Sequence, residues 1–337
     1  MKSKLQKIIA IVGPTASGKS ELAVKIARRF NGEIISADSR QVYQGLNIGT
    51  GKVPNDCSNP SRIKSNIYRI KRRKRIRNKF DIICGKFEKY VYKDIPHHCI
   101  DFVSPKKVFT VADFKKCAES AIKNITAKGK IPIICGGSGF YIDSVLYNLP
   151  IPNVPPNKKL RAKLSKKSAE ELYKMLKKLD PWRAKSIDRH NPRRLIRAIE
   201  IVKTTQKPIP PLTRLGLVSN KTESCYIGIK ITMEKLYKRI DQRLRQRLKQ
   251  GMIQEVKNLL KNGVSHKRLQ SLGLEYRFIS LYLQNKLTHK EMAKKLKTAI
   301  HQYAKRQMTW FRRNKDIKWI TSKKMALSLI KKFIAKK

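Results

Sequence analysis

Carboxylates are the scarce class in this sequence: 23 Asp and Glu stand against 78 Lys and Arg, a formal charge of +55. A surface of that sign repels itself unless a polyanion sits on it, so nucleic acid is the first partner to consider. Compositional drift that fills exposed positions with Lys, Ile and Asn gives the same count, and charge alone leaves both readings open. Long apolar runs are also missing. No stretch approaches a membrane span. Ile8–Val12, behind a lysine-bearing terminus, is too short for a signal peptide's core and lacks a small-residue cleavage site. The cysteines (Cys57, Cys84, Cys99, Cys117, Cys135, Cys225) contain no C-x-x-C pair. That spacing excludes a zinc ligand set and a secreted disulfide framework, and fits a cytoplasmic protein. Internal repeats are absent.

What is present is an apolar share of 40%, enough for a packed core. Lys7–Val12 reads as a buried strand, and Leu22, Ala23, Ile26, Ala27 and Phe30 follow at helical spacing. Glu33–Ala37 is a second strand. Thr110-x-x-Asp113 is a capping box that opens a helix with Phe114, Ala118, Ala121, Ile122 and Ile125 on its apolar face, and Gly129 closes it. Ile131–Cys135 is a third strand. Strands alternating with helices predict an α/β fold, a P-loop parallel-sheet core. Pro150–Pro156 and Pro208, Pro210 and Pro211 mark hinges around helical sequence. Cys225–Ile231 reads as a strand, three or four long basic helices run to Arg313, and Ile317–Ile320 is a candidate last strand. The expected layout is a core over residues 1–154, a helical insert over 155–220, and a return to the core over 221–337 with long basic C-terminal helices. A basic insertion at about 57–95 interrupts the core. Within it, ten of the eighteen residues from Arg62 to Lys79 are Lys or Arg and none is acidic.

Gly13-Pro14-Thr15-Ala16-Ser17-Gly18-Lys19-Ser20 matches G-x-x-x-x-G-K-[ST] in full, after a strand and before a helix. The glycines let the loop wrap with its N–H groups aimed at phosphate oxygens. Lys19 supplies a point charge, Ser20 can hold Mg²⁺, and the helix N-terminus adds its dipole. Nucleotide triphosphatases of this class need a second apolar strand ending in Asp. Ile131–Cys135 ends instead in Gly136-Gly137-Ser138-Gly139. Glu33-Ile-Ile-Ser-Ala-Asp38 does place a carboxylate at a strand's C-terminal end, where open sheets bind ligands. A metal ligand, a general base and a structural cap are all open roles for Asp38 at this point.

Taken together the motifs resemble one family closely, the bacterial tRNA dimethylallyltransferases (tRNA isopentenyltransferases). The resemblance covers most of the chain, in order: Gly13–Ser20, Asp38-Ser-Arg-Gln-Val-Tyr43, Asn47-Ile-Gly-Thr-Gly-Lys52, Pro96-His-His-Cys-Ile-Asp101 and Gly136-Gly-Ser-Gly-Phe-Tyr141. It continues through Asp180-Pro181, Asn191-Pro-Arg-Arg-Leu-Ile-Arg197, Arg239-Ile-Asp-Gln-Arg243, Leu272-Gly273 and Lys305-Arg-Gln-Met-Thr-Trp-Phe-Arg312.

This resemblance implies a monomer that moves a dimethylallyl group from dimethylallyl diphosphate to N6 of an adenosine 3′-adjacent to the anticodon in tRNA. The diphosphate would occupy Gly13–Ser20 with Mg²⁺. Asp38 would act as general base, and Lys19 and Arg243 would stabilise the leaving group. Ser138, where the family usually has Thr, would contact the base or the phosphates. The implied tRNA contacts, to the anticodon stem-loop, are Asp38, Ser39, Arg40, Gln41, Ser138, Arg161, Arg193, Arg194, Leu195, Ile196, Arg197, Gln270, Gly273, Glu275, Lys305, Arg306, Gln307 and Arg312. The insert would grip the RNA. Arg239, Arg243 and Arg247 recur every fourth residue and share a helical face beside Leu236, Ile240, Leu244 and Leu248.

Three features depart from the family. His301 stands where Arg is common, Leu274-Glu275-Tyr276 replaces a Gly-Tyr-Lys stretch, and the 57–95 insertion is long. His97-His98 with Cys99 and Asp101 is poor metal geometry, since neighbours on a strand point to opposite faces. No Cys follows Cys225, so the C-terminal zinc finger of eukaryotic members is not expected. Two rival readings share the loop and Asp38. A nucleoside or nucleotide kinase binding ATP would have no need of basic C-terminal helices. A nucleic-acid-binding ATPase would need a carboxylate after the third strand.

Overall fold

In the computed structural model, which describes residues 6–56, 90–210 and 222–336, the apolar runs of the N-terminal half form the middle of a seven-stranded sheet. The Lys/Arg tract at 62–79 lies outside the described residues, as does most of the insertion around it. Strand β1 (Gln6–Val12) is buried from Ile8 onward, and α1 (Lys19–Arg29) turns Leu22, Ala23, Val24, Ile26 and Ala27 inward. Strand β2 (Gly32–Ala37) is buried along its whole length, as a parallel strand covered on both faces must be. Then come β3 (Tyr90–Tyr92), β4 (Ile95–His98), α2 (Val111–Ala127), β5 (Ile131–Gly136) and α3 (Gly139–Leu146). The Thr110–Asp113 capping box is formed at the start of α2.

Residues Tyr147–Val218 form a compact unit of their own, made of α4 (Lys158–Leu164), α5 (Ala169–Leu179), α6 (Pro181–Ser186) and α7 (Pro192–Thr205). Its small core is Leu164, Leu172, Leu176, Ala184, Leu195, Ala198 and Ile199. Two buried carboxylates organise it. Asp180 accepts the N–H of Arg183 at 2.8 Å, capping α6, and the N–H of Ile209 at 2.8 Å. Glu200 accepts from Arg161 Nε at 2.8 Å, Arg197 Nη1 at 2.6 Å and the N–H of Asn157 at 2.7 Å. Burial pushes the Glu200 carboxyl up, but these hydrogen bonds outweigh it and hold the pKa at about 2.

The chain then returns through β6 (Thr222–Ile229), which pairs with β1. Five helices follow rather than three or four: α8 (Met233–Lys249), α9 (Met252–Lys261), α10 (His266–Leu272), α11 (Leu274–Leu283) and α12 (His289–Arg312). Gly251 and Gly263, both with positive φ (95° and 76°), break the basic stretch into shorter pieces. Strand β7 (Lys318–Ile320) and α13 (Lys323–Ala335) complete the fold.

Strand order is β3-β4-β2-β5-β1-β6-β7, and every pairing is parallel except the edge pair β3·β4. That edge hairpin departs from an all-parallel sheet. Lys93 and Asp94 turn it with φ of 52° and 62°, the doubly positive combination of a type I′ turn. One core cluster joins Ile9, Ile11, Ile133 and Ile227 to α1 and α13; a second joins Val42, Tyr43 and Leu46 to helices α8 to α12. Each fully buried Leu or Ile stabilises the fold by about 1.5–3 kcal/mol.

Candidate active site

Backbone register assembles the site. Val12 pairs with Gly136, and Gly136 with Ala37, so β1, β5 and β2 end level. The loops beginning at Gly13, Gly137 and Asp38 therefore leave the sheet side by side, about 4.8 Å apart. Gly136 can only be glycine here, because a Cβ would stand 2.1 Å from the Ala37 carbonyl oxygen.

In the Gly13–Ser20 loop, Ala16 and Gly18 take positive φ (62° and 93°), and the Ser17 N–H donates to Pro14 O at 3.3 Å. Gly18 is the N-cap of α1 and supplies no side-chain cap, which leaves the helix's first N–H groups open to an anion. The buried Ser17 hydroxyl has no hydrogen-bond partner among the described residues. Lys19 Nζ donates to Pro14 O at 3.2 Å. Burial pushes the Lys19 ammonium below lysine's ordinary value, against an opposing pull from Cys135 and Asp38.

Asp38 Oδ1 accepts the N–H of Arg40 at 2.9 Å, an Asx turn that fixes the carboxylate. Its charge acts on Lys19, Lys52, Tyr141, Glu275 and Tyr303, so it stands at the centre of the site. Ser138 lies beside it: its N–H donates to Ala37 O at 3.2 Å and its Oγ accepts from the Ser39 N–H at 3.1 Å. Gln41 accepts from Ser36 Oγ at 3.1 Å and reaches Thr50 O and Gly51 O at 3.4 Å.

The Asn47–Lys52 loop forms the opposite wall. Glu255, on α9, accepts the N–H groups of Asn47 (2.9 Å), Ile48 (2.6 Å) and Gly49 (3.0 Å), and also the hydroxyl of Tyr276 at 2.8 Å. Lys52 is buried; it donates to Tyr43 O at 2.8 Å and pairs with Asp101. Gly51 (φ 60°) allows two guanidinium groups to approach: a Cβ there would stand 1.8 Å from Arg247 Nη2 and 2.7 Å from Arg243 Nη2.

Those arginines belong to the four-residue row on α8. Arg239 Nη1 lies 3.5 Å from Ser17 O, and Arg247 Nη1 donates to Gly49 O at 3.2 Å, so the row runs from the phosphate-type loop to the facing wall. Burial, with Arg247 adding to it, pushes Arg243 down to about 10, still protonated at neutral pH. Glu275 offsets this charge from 3.5 Å beside Arg247, and burial pushes its own carboxyl up. A cavity of about 690 Å³ opens here, lined by Lys52, Asn55, Tyr90, Asp101, Arg243 and Arg247 among others.

Other residues read from the sequence are placed as follows. On α12, Lys305, Arg306 and Arg312 are exposed, whereas Gln307 is buried between two loops. Gln270 is half-buried on α10, and a Cβ on Gly273 would stand 3.9 Å from Arg40 Cδ. In the separate helical unit Arg193 and Arg194 are exposed, while Arg161 and Arg197 hold Glu200. Leu195, expected to contact RNA, is fully buried in that unit's core, and Ile196 packs against the same cluster. Helical periodicity turns both inward, so their side chains pack in that unit's core. His301 pairs with Asp241 at 2.7 Å and stacks on Tyr237. His98 bonds Glu33 at 2.7 Å while His97 Nδ1 meets Ile95 O at 2.9 Å. Among the described residues no cluster of His, Cys, Asp and Glu has metal-ligand geometry. Glu255 and Tyr303 carried no sequence signal of a role at the site, and Lys52 was marked only as the end of the Asn47–Lys52 motif. The scarcity of carboxylates could have drawn attention to Glu255.

A family model described as IPP transferase matches residues 76–314, and one described as isopentenyl transferase matches residues 6–70. The chain is 38% identical over 319 residues to a tRNA dimethylallyltransferase of Anoxybacillus flavithermus, covering 93% of this chain and 90% of that one. It is 41% identical over 326 residues to tRNA dimethylallyltransferase 1 of Azobacteroides pseudotrichonymphae, with coverage of 95% and 94%. A crystal structure of tRNA delta(2)-isopentenylpyrophosphate transferase from Staphylococcus epidermidis matches with a TM-score of 0.64 at 34% identity, over 98% of this chain and 100% of that one. With a family match over most of its length and relatives of this similarity end to end, the chain belongs to the IPP transferase family.

Proposed function

We propose that this chain transfers a dimethylallyl group from dimethylallyl diphosphate to N6 of an adenosine 3′-adjacent to the anticodon in tRNA, releasing diphosphate. The observation that carries the reading is the level ending of β1, β5 and β2, which sets the Gly13–Ser20 loop beside Asp38 and Ser138. A kinase reading is not favoured, because the relatives matched along the whole chain are named as dimethylallyltransferases.

The donor's diphosphate lies in the Gly13–Ser20 loop, against the open N–H groups of α1 and the Lys19 ammonium. The target adenine leaves its stack to reach Asp38, as in other enzymes that act on a base. Its N6 lone pair attacks the first carbon of the prenyl group, and the carbon–oxygen bond breaks with its electrons going to the diphosphate. Asp38 takes the N6 proton. Among the described residues its Oδ2 accepts no hydrogen bond, so it is available for that proton. Lys19 and the Arg243–Arg247 pair stabilise the charge gathered on the leaving group. Ser138 orients the substrates beside Asp38.

Ser20, with an exposed side chain in the first turn of α1, fits Mg²⁺ held jointly with diphosphate oxygens, since Mg²⁺ on a phosphate needs few protein ligands. The ion would supply further charge neutralisation at the leaving group. The anticodon stem-loop is gripped by Ser39, Arg40, Gln41, Gln270 and Gly273 near the base, by Lys305, Arg306 and Arg312 on α12, and by Arg161, Arg193, Arg194 and Arg197 of the helical unit. The family resemblance is the support for reading the chain as a cytoplasmic monomer. Among the described residues, no helix is long and apolar enough to cross a membrane.

Asp38→Asn keeps the shape and removes the base. Single-turnover transfer to an anticodon stem-loop should slow by roughly 10²–10⁴-fold, with stem-loop affinity unchanged within about twofold. A rate near the parent's would remove Asp38 as the base.

A further inference from the structure

Gln307 lies in the run Lys305-Arg-Gln-Met-Thr-Trp-Phe-Arg312, whose exposed cations suit RNA, yet only 7% of its own surface is open. Both ends of its amide are engaged. Its Oε1 accepts the N–H of Thr15 at 2.9 Å, and its Nε2 donates to the carbonyl oxygen of Gly137 at 2.9 Å. The partners fix the orientation of the amide, because a flipped group would set donor against donor at Thr15 and acceptor against acceptor at Gly137. The approach is close, since a Cβ on Gly137 would stand 2.3 Å from Nε2. Three residues on, Trp310 Nε1 donates to Asp143 Oδ2 at 3.0 Å and pins the same helix to α3.

The two loops joined in this way carry different parts of the site. Thr15 is inside the Gly13–Ser20 loop. Gly137 precedes Ser138, whose hydroxyl accepts from the Ser39 N–H next to Asp38. A side chain that accepts at one end and donates at the other is needed to hold both: a carboxylate could only accept and a lysine only donate.

We propose that Gln307 is a positioning residue for the donor diphosphate, clamping the Gly13–Ser20 loop to the Gly137–Ser138 turn, and that it makes no contact with RNA. The proposal rests on the reading of Gly13–Ser20 as the diphosphate site. One face of α12 then meets RNA through Lys305, Arg306 and Arg312, and another sets the shape of the donor loop.

The test measures two affinities in the full chain, for inorganic diphosphate with Mg²⁺ and for an anticodon stem-loop, each by calorimetry. Gln307→Met keeps length and loses both hydrogen bonds. It should weaken diphosphate binding and raise the KM for dimethylallyl diphosphate by about tenfold, leaving stem-loop affinity within about twofold. Arg306→Ala should show the reverse split. Gln307→Glu keeps only the acceptor for Thr15 and is measured alongside, so that a failure of the Met variant to fold does not remove the test. Parental diphosphate affinity in the folded Gln307 variants overturns the proposal, as does a fall in stem-loop affinity equal to the fall for diphosphate. If the parent itself binds no diphosphate, the reading of the Gly13–Ser20 loop fails first, and this proposal with it.

Discussion

His97 sits in β4 with 8% of its surface open, and burial pushes its pKa down to about 4. The unfolded chain takes up that proton near 6.5, so the unfolded state binds more protons between those values. The contribution is whole above about pH 6.5 and is lost as pH falls towards 4, by ~3 kcal/mol in all. Glu33 acts at lower pH. Burial pushes it up, but His98, Lys130 and Lys128 hold it at about 2, so its stabilisation is present above the usual carboxylate range and fades as pH falls towards 2. Denaturant titrations at stepped pH should therefore show stability falling from pH 6.5 to 4.5, before carboxylates protonate. His97→Gln should flatten that segment, and an unflattened profile would assign the loss to other groups. At this scale the sequence was readable where chemistry follows a local pattern, as at Gly13–Ser20 and Asp38. Glu255 was not readable, because what gives it a role is proximity to Asn47, 208 positions away.

Local signals were strongest for single elements. The spacing of Phe114, Ala118, Ala121, Ile122 and Ile125 marked the buried face of α2, and Thr110 with Asp113 marked its start; both capping-box bonds are formed. Thr110→Ala should lower unfolding free energy by about 1 kcal/mol, read from the denaturation midpoint at constant slope. No change would mean that water replaces the cap. The apolar runs of β1, β2 and β5 were legible because strands buried on both faces carry Ile and Val continuously. The β3·β4 hairpin was not, since three residues are too few for a period and Lys93-Asp94 lacks the Gly that usually advertises a type I′ turn. The division after β6 into α8 to α12 was not legible, because glycines in a basic stretch do not announce which of them stop a helix.

For the whole molecule, the excess of cations is the property that no single residue pair explains. From its charge the Arg62–Lys79 tract could neutralise RNA phosphates, and salt dependence tests whether it does. Replacing it by a short neutral linker should flatten the log–log salt slope of tRNA affinity by about 0.7–0.9 for each phosphate the tract had neutralised, with turnover at saturating tRNA unchanged. An unchanged slope would mean that the tract neutralises no RNA phosphate. The order of the strands followed from none of the local patterns, because pairings such as that of Gln6 with Thr222 join residues 216 apart. Prenyl transfer to RNA, proposed for the level ends of β1, β5 and β2, is separated from phosphoryl transfer by a double-label incubation. The protein is mixed with tRNA, dimethylallyl diphosphate labelled in its prenyl group and ATP labelled in its γ-phosphate, and each label is counted on the RNA. Prenyl label on an adenosine beside the anticodon, with no phosphate label, is the expected result. Phosphate label on RNA or on a free nucleoside, with no prenyl label, would overturn the proposed reaction.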